Sequence, residues 1–219
     1  MKKLMILALV LTANVFATSI LFVSTPGSVL ATGPCAGQVY TACTSLYPAG
    51  AEFSTYTSVI GIGGSTVSFS ATGEGRIVGS SWATWSSPPF SESATPAITF
   101  FSGVSTVTLT LSNPSSVFGF ELEPNPFSVK SYKVEYFDAL AASLGSTILP
   151  TSGSAGARLF AGYTDDGTFA IKSVIITNLT DGTDFAITNI RADVPEPGTY
   201  ALMGAGLLAL AGFARRRKA

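Results

Sequence analysis

"VSTVTLTLS", residues 104–112, decides the fold class. Val107, Leu109 and Leu111 take every second position, and Thr106, Thr108 and Thr110 fill the places between. In an extended chain successive side chains leave on opposite faces, so this stretch has one apolar face and one polar face. Its neighbours repeat the pattern. In 65–71, Val67 and Phe69 alternate with Thr66, Ser68 and Ser70; farther on, Tyr132, Val134 and Tyr136 share a face while Lys133 and Glu135 point the other way. Further strands are predicted at 52–59, 74–80, 97–101, 117–123, 144–149, 157–163, 169–177 and 184–192. Asp166-Gly167 and Asp181-Gly182 are tight-turn dipeptides, and Glu123-Pro124-Asn125-Pro126 ends a strand. No window between 32 and 193 sustains a 3.6-residue period. The pattern predicts an all-β chain, an antiparallel β-sandwich of jelly-roll type, with 32–193 as one domain.

Charge narrows the partners. The chain of 219 residues has a formal charge of −1, but half of its basic residues sit at the termini. Residues 32–193 hold six basic and twelve acidic side chains, a net charge near −6. An acidic body without a basic stripe argues against nucleic acid as a partner, and against anionic lipid, so membrane contact falls to the two ends.

At the N-terminus Lys2 and Lys3 precede a mostly apolar run over 4–23, and Val29 and Ala31 offer small residues at −3 and −1 of a cleavage site. That order predicts a secretory signal peptide over 1–31. The run is long for such a leader, which leaves an uncleaved N-terminal anchor open. Cys35 and Cys43 follow closely in an exported chain, and one disulfide between them is expected. Closing so short a loop contributes roughly 2.5 kcal/mol in the chain-entropy account.

The other end reads "VPEPGTYALMGAGLLALAGFARRRKA", 194–219. Residues 199–214 carry no charge and as a transmembrane helix would run about 24 Å. Arg215, Arg216, Arg217 and Lys218 form a positive-inside cluster that keeps the end cytoplasmic and the body outside. Pro195 and Pro197 keep the approach extended, a conformation that a protease groove accepts. Physics alone allows a permanent anchor or a handle that is cut. The three parts in this order resemble the PEP-CTERM sorting signal. The resemblance implies that an exosortase, an integral-membrane cysteine protease, reads Pro195, Glu196 and Pro197 and removes the tail, in bacteria that make extracellular polysaccharide and biofilm. The later half of the body is similar to the β-sandwich of exported bacterial proteins with such tails, a body for which the resemblance implies no catalytic residues.

Chemistry in the body is sparse. With no histidine anywhere, a Ser-His-Asp triad, a Cys-His pair and a histidine-ligated metal are excluded. Glu121 and Glu123 project from one face of a strand at a spacing that a glycosidase could use, but opposite Phe118, Phe120 and Leu122 they read as a solvated sheet surface. Asp165, Asp166, Asp181 and Asp184 offer oxygen ligands to Ca²⁺, although Asp before Gly is also plain turn chemistry and neither loop has EF-hand spacing. "SSWATWSSPPF", 80–90, brings Trp82 and Trp85 near Phe90 as candidate sugar contacts, with a core plug as the competing reading. No cofactor is expected. Two functions emerge: a non-enzymatic protein of the cell envelope or extracellular matrix, and a carbohydrate-binding module for extracellular polysaccharide.

Overall fold

Thr106 to Ser112 of the alternating stretch lie in one strand of a continuous antiparallel sheet. The computed structural model describes residues 18–24, 44–46, 52–60, 66–86, 90–91, 97–180, 182–192 and Gly206. Within them lie β1 (Ile20–Val23), β2 (Thr44–Leu46), β3 (Thr55–Ile60), β4 (Thr66–Ile77), β5 (Ala97–Phe101), β6 (Thr106–Ser115), β7 (Val117–Pro124), β8 (Val129–Phe137), β9 (Ser143–Ser152), β10 (Arg158–Thr164), β11 (Ile171–Asn178) and β12 (Phe185–Ala192). The pairing order is β1-β10-β7-β12-β5-β4-β6-β11-β8-β9, with β2 added to β12 and β3 to β4.

All-β, antiparallel architecture is thus as the alternation predicts. The two layers expected of a sandwich are joined into one rolled sheet, and β4 is the reason. Its first half pairs with β6 through Val67–Phe69, and its second half pairs with β5 through Glu74–Ile77. The sequence suggests two strands here, at 65–71 and 74–80, with Gly73 between them. Gly73 is a close approach: a Cβ there would lie 2.5 Å from Thr99 Cγ2. The strand runs through it and carries the sheet from one layer to the other.

The apolar faces meet in one cluster. Phe118, Phe120 and Leu122 of β7, with Phe160, Phe185 and Ile187, join Leu109, Val134, Val174 and Ile176 from the opposite layer. The Tyr132 and Phe185 rings touch across the gap at 5.5 Å between centroids. Aromatic pairs of this kind add about 0.5–1.5 kcal/mol each beyond their area. On β8, Tyr132, Val134 and Tyr136 are buried, while Lys133 and Glu135 pair outside at 2.7 Å, as the alternation requires.

Two strands were not legible. β2 has three residues, too few to show a period, and it pairs with the end of β12 that β5 leaves uncovered. β1 lies inside 1–31, the stretch assigned to the signal peptide, and pairs with β10 along its full length. Cys35, Cys43 and the tail from 193 onward, Gly206 excepted, lie outside the described residues. Among the described residues no helix is long and apolar enough to cross a membrane.

Gly119 of β7 stands opposite Ala161 of β10, and a Cβ on it would come within 2.6 Å of the Ala161 Cβ. Both residues lie in strands paired on both sides, β10 between β1 and β7 and β7 between β10 and β12, so neither can step aside. Gly119→Ala should lower stability by about 1–3 kcal/mol through overpacking, read as a fall in the urea midpoint with an unchanged m-value.

Candidate functional site

β7 and β12 are buried on both faces. One face enters the main core; the other is roofed by the segment that follows β4. Trp82, Trp85 and Val78 pack there against Ile98, Phe100, Ala157 and Ala186, with Trp82 and Phe100 ring centroids 5.4 Å apart. The roof is tied at both ends. The Trp82 amide donates to the Ile77 carbonyl at 3.0 Å, and the Leu159 amide of β10 donates to the Phe90 carbonyl at 2.8 Å.

This roof overturns the expectation for Glu121 and Glu123. Both are fully buried, where a solvated surface was expected. The error is one of cover: alternation reports which face is polar, and the polar face here is closed by a distant segment. Trp85 Nε1 donates to Glu121 Oε2 at 3.1 Å, and Arg191 Nη2 lies 3.9 Å from Glu121 Oε1. Thr84 Oγ1 sits 2.8 Å from Glu123 Oε1 and 2.7 Å from the Gly153 carbonyl oxygen.

Arg191 reaches this space because of a bulge. Phe185 and Ile187 face the main core, and strict alternation would send Arg191 there too. The register with β7 shifts between Thr188 and Arg191, and Asn189 has φ +48°. The extra residue puts Ile190 and Ala192 into the core and turns Arg191 toward Glu121. The sequence did carry that signal: in "FAITNI" the apolar spacing slips from two to three at an Asn, a residue that tolerates positive φ.

Glu123 titrates far from the ordinary carboxylate range. Burial pushes its pKa up to about 7, against the opposing pull of the Thr84 hydroxyl, the Trp82 indole and the Ala157 amide. The hydrogen-bond count agrees. Thr84 has one proton and faces two acceptors, Glu123 Oε1 and the Gly153 carbonyl. An ionised Glu123 and the Gly153 carbonyl compete for the one Thr84 proton, whereas a protonated Glu123 donates to Thr84, which then donates to Gly153.

The remaining candidates are dispersed. Trp82 and Trp85 are 6% and 7% exposed, so they act as the core plugs of the roof and present no open platform. Asp165 Oδ2 accepts from Ser19 Oγ at 2.6 Å; Asp166 Oδ1 accepts from the Thr168 amide at 2.9 Å and its hydroxyl at 2.7 Å. The Thr168 backbone and side-chain bonds hold Asp166 below its ordinary pKa. Asp184 accepts from the Gly103 amide at 2.6 Å, away from that turn, and Asp181 lies outside the described residues. Among the described residues no three acids, cysteines or histidines gather as a metal site. A shallow cleft of about 340 Å³ opens beside the roof, lined by Phe90, Val129, Pro150, Thr151, Ser152 and Arg158 among others. The Arg158 guanidinium lies 4.3 Å from the Phe90 ring centroid, and Phe90 is 42% exposed.

The body is therefore a rolled antiparallel sheet with a sealed polar layer, joined to a sorting tail. That tail matches the PEP-CTERM protein-sorting motif over residues 193–218. It carries Pro195, Glu196, Pro197 and the cluster Arg215 to Lys218. No curated protein matches the chain.

Glu123 has a testable signature. Its folded pKa of about 7 lies above the ordinary value of 4.5, so the native state keeps a proton that the unfolded chain releases. The resulting stability is complete below about pH 4.5 and is lost as pH rises through about 7. Unfolding free energy should fall across that window with a slope of up to roughly 1.4 kcal/mol per pH unit. Glu123→Gln should flatten this component, whereas equal slopes in both proteins would contradict it.

Proposed function

We propose that the chain is a non-enzymatic protein of the bacterial cell envelope or extracellular matrix, exported and then processed at its tail by an exosortase. The observation that carries this reading is the sorting motif at 193–218 placed behind an all-β body. The burial of the acids supports the non-enzymatic part: Glu121 and Glu123 are the pair with glycosidase-like spacing, and a carboxyl group without solvent access cannot reach a glycosidic oxygen. The motif fits transient residence in the cytoplasmic membrane through 199–214, with the body outside and the basic cluster inside.

A carbohydrate-binding role for extracellular polysaccharide is the second reading. What favours it is the cleft at Phe90 and Arg158, where a half-open aromatic ring and a guanidinium stand together. Phe90→Ala should then abolish signals that the wild-type protein gives on a glycan array; a blank array for both proteins leaves the matrix role alone.

Glu196 is the sole charge between Asp193 and Arg215, so it is the natural electrostatic handle for the processing enzyme. In the native host the mature protein should lack 199–219, and Glu196→Ala should accumulate uncut and membrane-bound. A host without the enzyme should give the same retained form. A plain tail anchor would give full-length protein everywhere, indifferent to Glu196, and the intact mass of the native product separates the two.

A further inference from the structure

We propose that the leader is removed between Ala17 and Thr18, so that β1 is the first strand of the mature protein. Every residue of β1 belongs to the sheet. Ile20, Leu21, Phe22 and Val23 pair in unbroken register with Thr164, Tyr163, Gly162 and Ala161. Ile20 and Val23 are 7% and 5% exposed; Ile20 enters the main core, and Val23 packs with Leu159 and Ala161. The Phe22 ring lies 5.6 Å from that of Tyr136.

The receiving surface is shaped for this strand. A Cβ on Gly162 would stand 2.8 Å from Ile20 Cγ2, and one on Gly145 3.3 Å from Phe22 Cζ. Upstream, the Ser19 hydroxyl donates to Asp165 Oδ2 at 2.6 Å and the Asp165 amide returns a bond to the Ser19 carbonyl at 3.1 Å. Thr18 Oγ1 reaches Asp166 Oδ2 at 3.3 Å. Cleavage after Ala31 would strip all of this away and leave β10 as a bare edge with Leu159 and Ala161 uncovered, the kind of edge that folded proteins protect.

The sequence accommodates the earlier cut. Once Ile20–Val23 is assigned to the sheet, the apolar run shrinks to 4–16, thirteen uncharged residues behind Lys2 and Lys3. That is an ordinary length for the apolar part of a leader; as a helix it would span about 20 Å, too short for a bilayer anchor. Val15 and Ala17 stand at −3 and −1 of the proposed bond, the same pair of residue types that Val29 and Ala31 supply farther on. The excess length that kept an uncleaved anchor open is thereby accounted for by a strand.

The proposal rests on the reading that the protein is exported, and one experiment separates the two. The full chain is expressed in a bacterial host with its signal peptidase, the cells are fractionated, and the exported product is N-terminally sequenced. The expected first residue is Thr18. An exported product that begins at Thr32, or that retains Met1, overturns the cut and leaves export standing. A full-length precursor confined to the cytoplasm overturns export and the cut together. Ala17→Leu should reduce the Thr18 product at least tenfold and Ala31→Leu should leave it unchanged; the reverse pattern also overturns the proposal.

Discussion

A charged pair held out of water constrains the centre of this sheet. Arg191 and Glu121 are 1% and 0% exposed, and burial of either charge without compensation would cost several kcal/mol. The compensation is assembled from three distant parts of the chain. β7 supplies the carboxylate, the Asn189 bulge turns Arg191 to it from β12, and the segment after β4 brings the Trp85 indole as a donor and the two Trp rings as a lid. Loss of the bulge would send the guanidinium into the aromatic core. Loss of the roof would flood the layer, and the raised pKa of Glu123 would relax with it. Such a layer adds little net stability compared with an apolar one.

Most strand positions were readable because burial of a single face writes itself into the sequence with period two. β5 is found at the residues expected, and β6, β7 and β12 differ from expectation only at their ends. The failures share a cause. The strand through Gly73 was expected as two, at 65–71 and 74–80, since the sequence shows an absent side chain but not the Thr99 methyl that lies against it. Glu121 and Glu123 looked solvated since the residues that cover them lie some forty positions earlier, in a stretch that reads as a loop. β1 was hidden because an apolar leader and a half-buried edge strand draw on the same residues. Each is a long-range fact that no local window contains.

The same roof decides which surfaces remain for recognition. Trp82 and Trp85, the conspicuous aromatic residues of the sequence, are used up as the lid's inner face, and the one aromatic ring of that stretch left half-open is Phe90. Its backbone carbonyl is tied to β10 through the Leu159 amide, and its ring lies beside Arg158 of the same strand. The ring is thus held on a rigid element, although it comes from a segment without regular structure. Site positions carried by strands are more sharply defined than those on free loops, so the cleft inherits its geometry from β10.

The junction of body and tail follows from the covalent chain. β12 is a central strand, paired with β7, β5 and β2 and buried to its last residue, Ala192. Pro195 is three residues farther on, and three extended residues span at most about 11 Å. Pro195, Glu196 and Pro197 thus follow the last described strand within a few residues of covalent chain. β12 cannot be drawn out without breaking its ladders with β7, β5 and β2 and exposing Arg191. A cut beyond Pro197 would remove none of the twelve described strands and would leave the Asn189 bulge and the sealed layer within the remaining chain.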